Sequence, residues 1–277
     1  MTVAVVVIAA GRRTHLVRTL AGLAAQTTPA DHVVVVDMEP ECSVADIVVA
    51  PARCLPLPAT GHRLPLAAAR NAGAAAVGSD QLIFLDVDCI AAADLVERYV
   101  EVLTAHPTAL ACGPVRYLRR DWDAGSSDGT LLKGAELKGA SDSHPSRTAP
   151  RGRHVRLGDD HELFWSLSFG CAGATWTKIG GFDEGYRGYG AEDTDFAYRA
   201  RRLSVPLAWF AGGTAYHQWH APSRFDDAHL PDIVANARRF HDRWGSWPMT
   251  GWLEELQRRG RIDFDPARGR LDMVPAP

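Results

Sequence analysis

Three groups of side chains in this sequence could do chemistry together. The first is Gly188-Tyr189-Gly190-Ala191-Glu192-Asp193-Thr194-Asp195-Phe196, where three carboxylates open a predicted helix directly after a glycine-rich turn carrying one aromatic ring. Acids there complement the positive end of the helix dipole, and one or two suffice as caps. The surplus, with Gly180-Gly181-Phe182-Asp183-Glu184 just upstream, marks a candidate site; Asp195 is read as a plain cap. The second group is Asp86-Val87-Asp88, directly after the apolar run Leu82–Leu85. Residues i and i+2 of an extended segment point the same way, so both carboxylates are expected to face one spot at a sheet edge. Like charges so placed call for a cation, and Mn²⁺ or Mg²⁺ suits carboxylate and phosphate oxygens; the competing reading is an ordinary turn. The third group is His217-Gln218-Trp219-His220, whose histidines can converge on one metal if the backbone turns there.

The elements that must position these groups follow from periodicity. Val3–Ala9 is a short β-branched run closed by Gly11 and reads as a buried strand. Thr14 is the predicted N-cap of a helix carrying Leu16, Leu20 and Leu23 at helical spacing to about Gln26. Val33–Val36 is a second strand closed by Asp37, Pro65–Val77 an alanine-rich helix, and Leu82–Leu85 the next strand. Ala93–Thr104 is helical, Ala109–Val115 a short apolar run, and Pro206–Phe210 another strand. Ile233, Ala237, Phe240 and Trp244 share one helical face, and the tail from Asp265 to Pro277 is expected to be loosely held. Strands that are nearly continuous in apolar residues and alternate with helices imply an α/β fold with a mainly parallel sheet covered on both faces. Ligands of such sheets bind beyond the carboxyl ends of the strands, where Asp37 and Asp86 stand.

Composition narrows the classes. At 277 residues and 46% hydrophobic, the chain can bury a full core without needing a second large domain. A formal charge of -3 supplies no basic field for nucleic acid. Five scattered cysteines, none in a Cys-x-x-Cys pair, favour a reducing compartment over a disulfide framework. The first apolar run lacks a basic leader, and no stretch approaches the ~20 apolar residues of a transmembrane helix. A cytoplasmic protein with no transmembrane segment is the expectation. The boundaries expected are a catalytic domain over 1–225, with 119–162 a flexible acceptor or lid loop, and a C-terminal helical extension and tail over 226–277.

Taken in order, the βαβ start, Asp37, Arg70-Asn71, Asp86-x-Asp88, Gly180–Glu184, Gly188–Asp195 and His217-x-x-His220 resemble a GT-A glycosyltransferase. The similarity is closest to family-2-type bacterial enzymes and to the C-terminal half of β-1,4-galactosyltransferases, and it runs from about Val3 to His220. The resemblance implies a Rossmann-like GT-A fold and a nucleotide-sugar donor, with UDP the expected nucleotide. It implies that Asp37 binds the uracil and ribose side, that Arg70 and Asn71 help hold the nucleotide and diphosphate, and that Asp86 touches ribose or sugar. Asp88 would ligate Mn²⁺, with His220 the downstream ligand and His217 where galactosyltransferases carry a second ligand. Tyr189 would contact donor and acceptor sugars, and Glu192 and Asp193 form the acidic pair, Asp193 as catalytic base. Two turns depart from the family pattern, Ala9-Ala10-Gly11-Arg12-Arg13 and Asp37-Met38-Glu39-Pro40, both of which normally line the nucleotide site.

Chemistry supports this reading independently. Breaking a sugar–diphosphate bond builds negative charge on the leaving group, where a cation stabilises it, while a carboxylate across the anomeric carbon accepts the incoming hydroxyl's proton and inverts the centre. The helix N-terminus is expected to lower the Asp193 pKa and so weaken it as a base. Arg147, Arg151, Arg153, His154 and Arg156 suggest either a solvated loop or a lid over the diphosphate. Trp165, Trp176, Trp209 and Trp219 are read as core residues, with Trp176 the expected exception, stacking on the donor sugar. Two other classes compete: a sugar-phosphate nucleotidyltransferase, suggested by Ala9-Ala10-Gly11, and a non-catalytic nucleotide-sugar or carbohydrate-binding module. The acceptor is a carbohydrate, a glycolipid or a small molecule.

Overall fold

The computed structural model describes residues 1–39, 43–58, 61, 63–123, 134–147, 149–221 and 227–274. Pro40, Cys42 and, within the 119–162 segment, residues 124–133 and 148 lie outside them. The N-terminal half alternates β1 (Val3–Ala9), α1 (Arg13–Ala24), β2 (His32–Asp37), β3 (Ala52–Pro56), α2 (Leu66–Val77), β4 (Gln81–Asp86), β5 (Cys89–Ala91), α3 (Leu95–Ala105), β6 (Leu110–Cys112) and β7 (Val115–Leu118). Then come α4 (Gly134–Gly139), β8 (Ser141–Ser143), β9 (Val155–Gly158), β10 (Ser168–Ala172), α5 (Gly173–Ile179), α6 (Glu192–Arg202), β11 (Leu207–Phe210) and β12 (Ala215–His217). The chain closes with α7 (Leu230–Trp244), α8 (Thr250–Arg258), β13 (Ile262–Asp265) and β14 (Arg270–Met273).

The main sheet has the order β3-β2-β1-β4-β10-β6-β11-β9. The β3-β2-β1-β4 block is parallel throughout, with Val5 opposite Val33 and Ile83, whereas β10 runs antiparallel to both its neighbours and β9 antiparallel to β11. The sheet is therefore mixed, its parallel character concentrated in the first half. Every β1 residue is buried because alternation sends Val3, Val5, Val7 and Ala9 to the α1/α3 side and Ala4, Val6 and Ile8 to the α2/α6 side. A second sheet, β5-β12-β7-β8, stands at the carboxyl end of β4. Its register sets His217 opposite Cys89, the residue after Asp88, and this places the His217–His220 turn beside the Asp86–Asp88 turn.

Several local expectations are corrected. Thr14 lies inside α1; the N-cap is Arg12, held in the left-handed region at φ 49° with no side-chain cap. Pro114 splits the Ala109–Val115 run between β6 and β7. The described part of 119–162 is not simply a loop, since β9 adds the edge strand to the main sheet. Three of its arginines have partners: Arg153 pairs with Glu101, Arg156 with Asp160, and the Arg147 guanidinium lies 4.9 Å from each of the Trp165 and Trp209 rings. The tail is anchored too, because β14 pairs with β13 and buries Leu271 against Leu256, Ile262 and Phe264.

The C-terminal helices brace the acidic segment. Asp195 is fully buried and accepts from Trp244 Nε1 at 2.9 Å and from Tyr186 Oη at 3.3 Å, and it pairs with Arg199 at 2.9 Å and Arg243 at 3.2 Å. It is a buried tie between α6 and α7, more than the cap expected of it. Gly188 has φ 73°, and a Cβ built there would overlap the Asp232 carboxylate and come within 2.8 Å of the Asp232 Cβ. Both the backbone and the neighbour require glycine. Gly188→Ala is expected to destabilise the protein by roughly 1–3 kcal/mol, read as a lower urea midpoint with unchanged m value.

Candidate active site

Asp88, His217 and His220 converge. The Asp88 carboxylate faces His217 Nε2 at 3.6 Å and His220 Nε2 at 3.4 Å, and one ligand atom from each residue lies within 4.8 Å of the others. Arg12, aimed by its left-handed backbone, also pairs with the same carboxylate. Burial alone would raise the Asp88 pKa, but His217, His220 and Arg12 more than offset it and hold the group well below the usual carboxylate range. Burial lowers the His217 pKa against the opposing pull of Asp88, a shift in the direction of the neutral imidazole that a metal requires. His15, edge-on to His220 at 6.4 Å, is lowered mainly by burial as well.

The donor set fits a divalent ion: one carboxylate and two imidazoles, whose atoms need to draw in only modestly from these separations to reach the ~3 Å between neighbouring ligand atoms that share a cation bonded at about 2.1 Å. Two nitrogen donors suit a transition metal better than Mg²⁺, whose preference is for oxygen.

The second centre is built on Arg70. This arginine of α2 is buried and bridges Asp86, at 3.0 Å, and Glu192, at 3.2 Å. Burial opposes its charge, but Asp86, Glu192 and Asp193 together hold its pKa above the ordinary value. Asp86 and Asp88 repel each other but have different partners, contrary to the expectation that they jointly face one cation. The reason is the turn at residues 87–88, which ends the extended geometry at Asp86. Burial pushes Asp86 up to about 6 despite Arg70. Burial and the neighbouring Asp193 push Glu192 up to about 7.

Asp193 is raised as well, mainly by burial, with Arg70 and the backbone N–H groups of Thr194 and Ser166 pulling the other way. The helix N-terminus does not decide its pKa; desolvation does. Thr194 N–H donates to Asp193 Oδ1 at 2.7 Å.

Glu192 offers a direct check. Its ordinary pKa is 4.5 and its folded value about 7, so the stability it contributes is complete below the lower value and lost as pH rises through the higher one. Glu192→Gln removes that loss. Relative to wild type, the variant is expected to gain roughly 1–3 kcal/mol between pH 5 and pH 8, measured by urea unfolding of the ligand-free protein at both values.

The remaining expected site residues fall in different places. Tyr189 lies between α7 and α8, stacked on Trp252 at 5.7 Å, and its pKa is raised first by burial and then by the charges of Glu192, Asp86, Asp193 and Asp88. Asp37 is buried and accepts from Ser43 Oγ at 2.6 Å, Val44 N at 3.1 Å and Glu39 N at 3.2 Å, which ties Glu39, Ser43 and Val44 to the end of β2. Asn71 donates to Phe182 O and Glu184 Oε1 and accepts from Phe182 N, so its amide holds the turn before the acidic segment. Trp176 is half-buried and packs against the core, with Phe84 at 4.9 Å, Phe182 at 5.9 Å and Phe196 at 5.6 Å, so part of the ring expected to stack on sugar is taken up by packing. Sequence reasoning missed Arg12 on Asp88 and the Ser166 N–H on Asp193. The Gly11-Arg12-Arg13 turn was the available signal for the first; nothing in the residue types pointed to the second.

A helix-flanked mixed sheet with an ordered pair of acidic turns at the carboxyl end of its central strand defines the GT-A class of α/β proteins. The profile described as Glycosyl transferase family 2 matches residues 4–176, and the one described as N-terminal domain of galactosyltransferase matches residues 158–220. The chain belongs to glycosyl transferase family 2. It is similar to validoxylamine A glucosyltransferase of Streptomyces hygroscopicus subsp. jinggangensis (strain 5008), 27% identical over 207 residues, covering 65% of this chain and 44% of that one. The same-named protein of subsp. limoneus is 28% identical over 207 residues, covering 65% and 41%. The chain thus spans less than half the length of the curated relatives it matches.

Among solved structures it resembles GalNAc-T7, crystallised with UDP, GalNAc and Mn²⁺, with TM-score 0.58 and 13% identity over 93% of this chain and 57% of that one. It also resembles S. aureus TarS, with TM-score 0.59 and 13% identity over 87% and 40%. At that identity the likeness shows the fold. Among the described residues no helix is long and apolar enough to cross a membrane.

Proposed function

We propose that the protein is a metal-dependent, inverting glycosyltransferase that moves a sugar from a nucleotide-sugar, a UDP-sugar by preference, to a hydroxyl of a carbohydrate, glycolipid or small-molecule acceptor. The observation that carries this reading is the convergence of Asp88, His217 and His220 next to the acidic centre of Arg70, Asp86, Glu192 and Asp193. The curated relatives are named for glucosyl transfer, and the solved neighbour GalNAc-T7 was crystallised with UDP and Mn²⁺, which agrees with it. Mn²⁺ bound by Asp88, His217 and His220 would offset the charge that builds on the departing diphosphate.

The chain's own residues do the rest. Asp193 takes the proton of the acceptor hydroxyl as its oxygen bonds to the anomeric carbon and the bond to the diphosphate breaks on the far side. A buried carboxylate with a raised pKa is a stronger base than a solvated one. Arg70 keeps Glu192 and Asp86 in place, Glu192 as the partner of sugar hydroxyls and Asp86 on the donor side. Asp37 and Asn71 shape the nucleotide side through the backbone and side chains they hold, and Tyr189 lies between the acids and the C-terminal helices.

We take residues 1–225 as the catalytic domain and 226–277 as its C-terminal brace. A cytoplasmic location agrees with free Cys54, Cys89, Cys112 and Cys171. The test is a screen of nucleotide-sugars for nucleotide release with Mn²⁺ and with a chelator. Mn²⁺-dependent UDP release with an inverted product supports the reading. Pyrophosphate release points to a nucleotidyltransferase, and binding without turnover points to a recognition module.

A further inference from the structure

Gln218 lies between the two candidate ligands His217 and His220 and is fully buried. Its backbone N–H donates to Asp88 O at 2.7 Å, which joins the histidine turn to the turn that carries the third ligand. Its side chain reaches the other way. Gln218 Nε2 donates to His15 O at 3.0 Å and lies 3.5 Å from Thr19 Oγ1, both on α1. Thr19, also fully buried, donates its hydroxyl to Val87 O at 2.8 Å. His15 in turn bonds the backbone of Trp219 through its ring. One stretch of α1, from His15 to Thr19, therefore grips both ligand-bearing turns, and Gln218 is the side chain that closes the loop between them.

The orientation of the amide is fixed by its neighbours. His15 O can only accept, and the Thr19 hydroxyl proton is already given to Val87 O, so the NH2 end must face α1. Gln218 Oε1 is left buried with no hydrogen-bond partner among the described residues. A buried acceptor without a partner costs stability, and a methionine of the same length would fill the space without that cost. Glutamine at this position is thus poor for packing and useful only for the donor it aims at α1.

We propose that Gln218 is the positioning residue of the metal triad: through its tether to α1 it fixes the span between Asp88 and the two histidines, and it is not itself a ligand. This rests on the metal reading above. Groups that hold ligands in place typically account for roughly 10–100-fold in metal affinity. Gln218→Met removes the tether and the orphaned oxygen together. Gln218→Glu keeps the length but sets a carboxylate oxygen against His15 O. Thr19→Val cuts the same clamp from the α1 side and serves if either Gln218 variant fails to fold.

The experiment is titration of each folded, ligand-free protein with Mn²⁺, read by the electron paramagnetic resonance of free Mn²⁺, with thermal melts in parallel. The expected result is Mn²⁺ binding weakened roughly 10–100-fold in Gln218→Met with a melting temperature equal to or above wild type, weakening in Gln218→Glu, and a smaller change of the same sign in Thr19→Val. A Gln218→Met protein that binds Mn²⁺ as tightly as wild type overturns the proposal, as does one whose weaker binding is matched by a lower melting temperature. Wild-type protein that binds no Mn²⁺ overturns instead the metal reading on which the proposal stands, an outcome distinct from either.

Discussion

Replacing Asp193 with asparagine is expected to lower kcat by roughly 10²–10⁴-fold while leaving the donor's Kd within about threefold of wild type. The carboxylate is buried at the start of α6, held by the Thr194 and Ser166 N–H groups, with Arg70 as its nearest balancing charge. Asparagine keeps the shape and the oxygen that accepts from one of those donors, but it has no basic oxygen for a hydroxyl proton. On the proposed reading the metal falls to Asp88, His217 and His220, which the substitution leaves untouched, so the loss should fall on turnover alone. Initial rates at saturating acceptor, with calorimetry for donor binding, separate the two quantities. Turnover near the wild-type value would remove Asp193 as the base, and a retained anomeric configuration would do so even if turnover fell.

The second large effect is at Asp88. Asp88→Ala should weaken Mn²⁺-dependent donor binding by roughly a hundredfold or more, because it deletes the only carboxylate of the triad and leaves Arg12 as an uncompensated positive neighbour of two imidazoles. Two effects add here, a lost ligand and a repelling guanidinium. Asp88→Ala combined with Arg12→Ala should therefore recover part of the Mn²⁺ affinity, whereas a simple ligand loss would show no recovery. Calorimetric titration with Mn²⁺ and UDP in the three proteins reads this directly. Donor binding that depends on Mn²⁺ as strongly in Asp88→Ala as in wild type would sink the ligand assignment.

Much of this arrangement was legible because burial on both faces of a parallel sheet leaves a loud signal. Val3–Ala9, Val33–Val36 and Leu82–Leu85 are unbroken apolar runs, and the structure extends each by no more than a residue or so. The three chemical groups were legible for a related reason: acids and histidines next to a buried strand end need a purpose. Edge strands give no such signal. Ala52–Pro56 contains arginine and proline, and Val155–Gly158 contains arginine and glycine, because each has only one neighbour in the main sheet and remains partly in solvent. The β13–β14 hairpin hid for the opposite reason, its alternation of one buried and one exposed residue being too short to stand out among charges.

Partners across long sequence separations were the least readable. Nothing in Arg70-Asn71 says that the arginine turns inward to two acids while the asparagine props a distant turn. Trp176 illustrates the same limit, since an aromatic beside a candidate site looks alike in sequence whether it faces a ligand or Phe84. The Asp193 pKa was misjudged because the helix dipole is visible in sequence and desolvation is not.

The fit of Gly188 against Asp232 reaches beyond the stability of one protein. A side chain at 188 and a carboxylate at 232 cannot occupy the same space, and the left-handed backbone at 188 bars a side chain on its own account. Over evolutionary time the glycine is therefore the fixed member of the pair, and position 232 of the C-terminal helix is the one left free to change. Chimeras that graft a foreign C-terminal region onto this sheet would need to keep the glycine, not the aspartate.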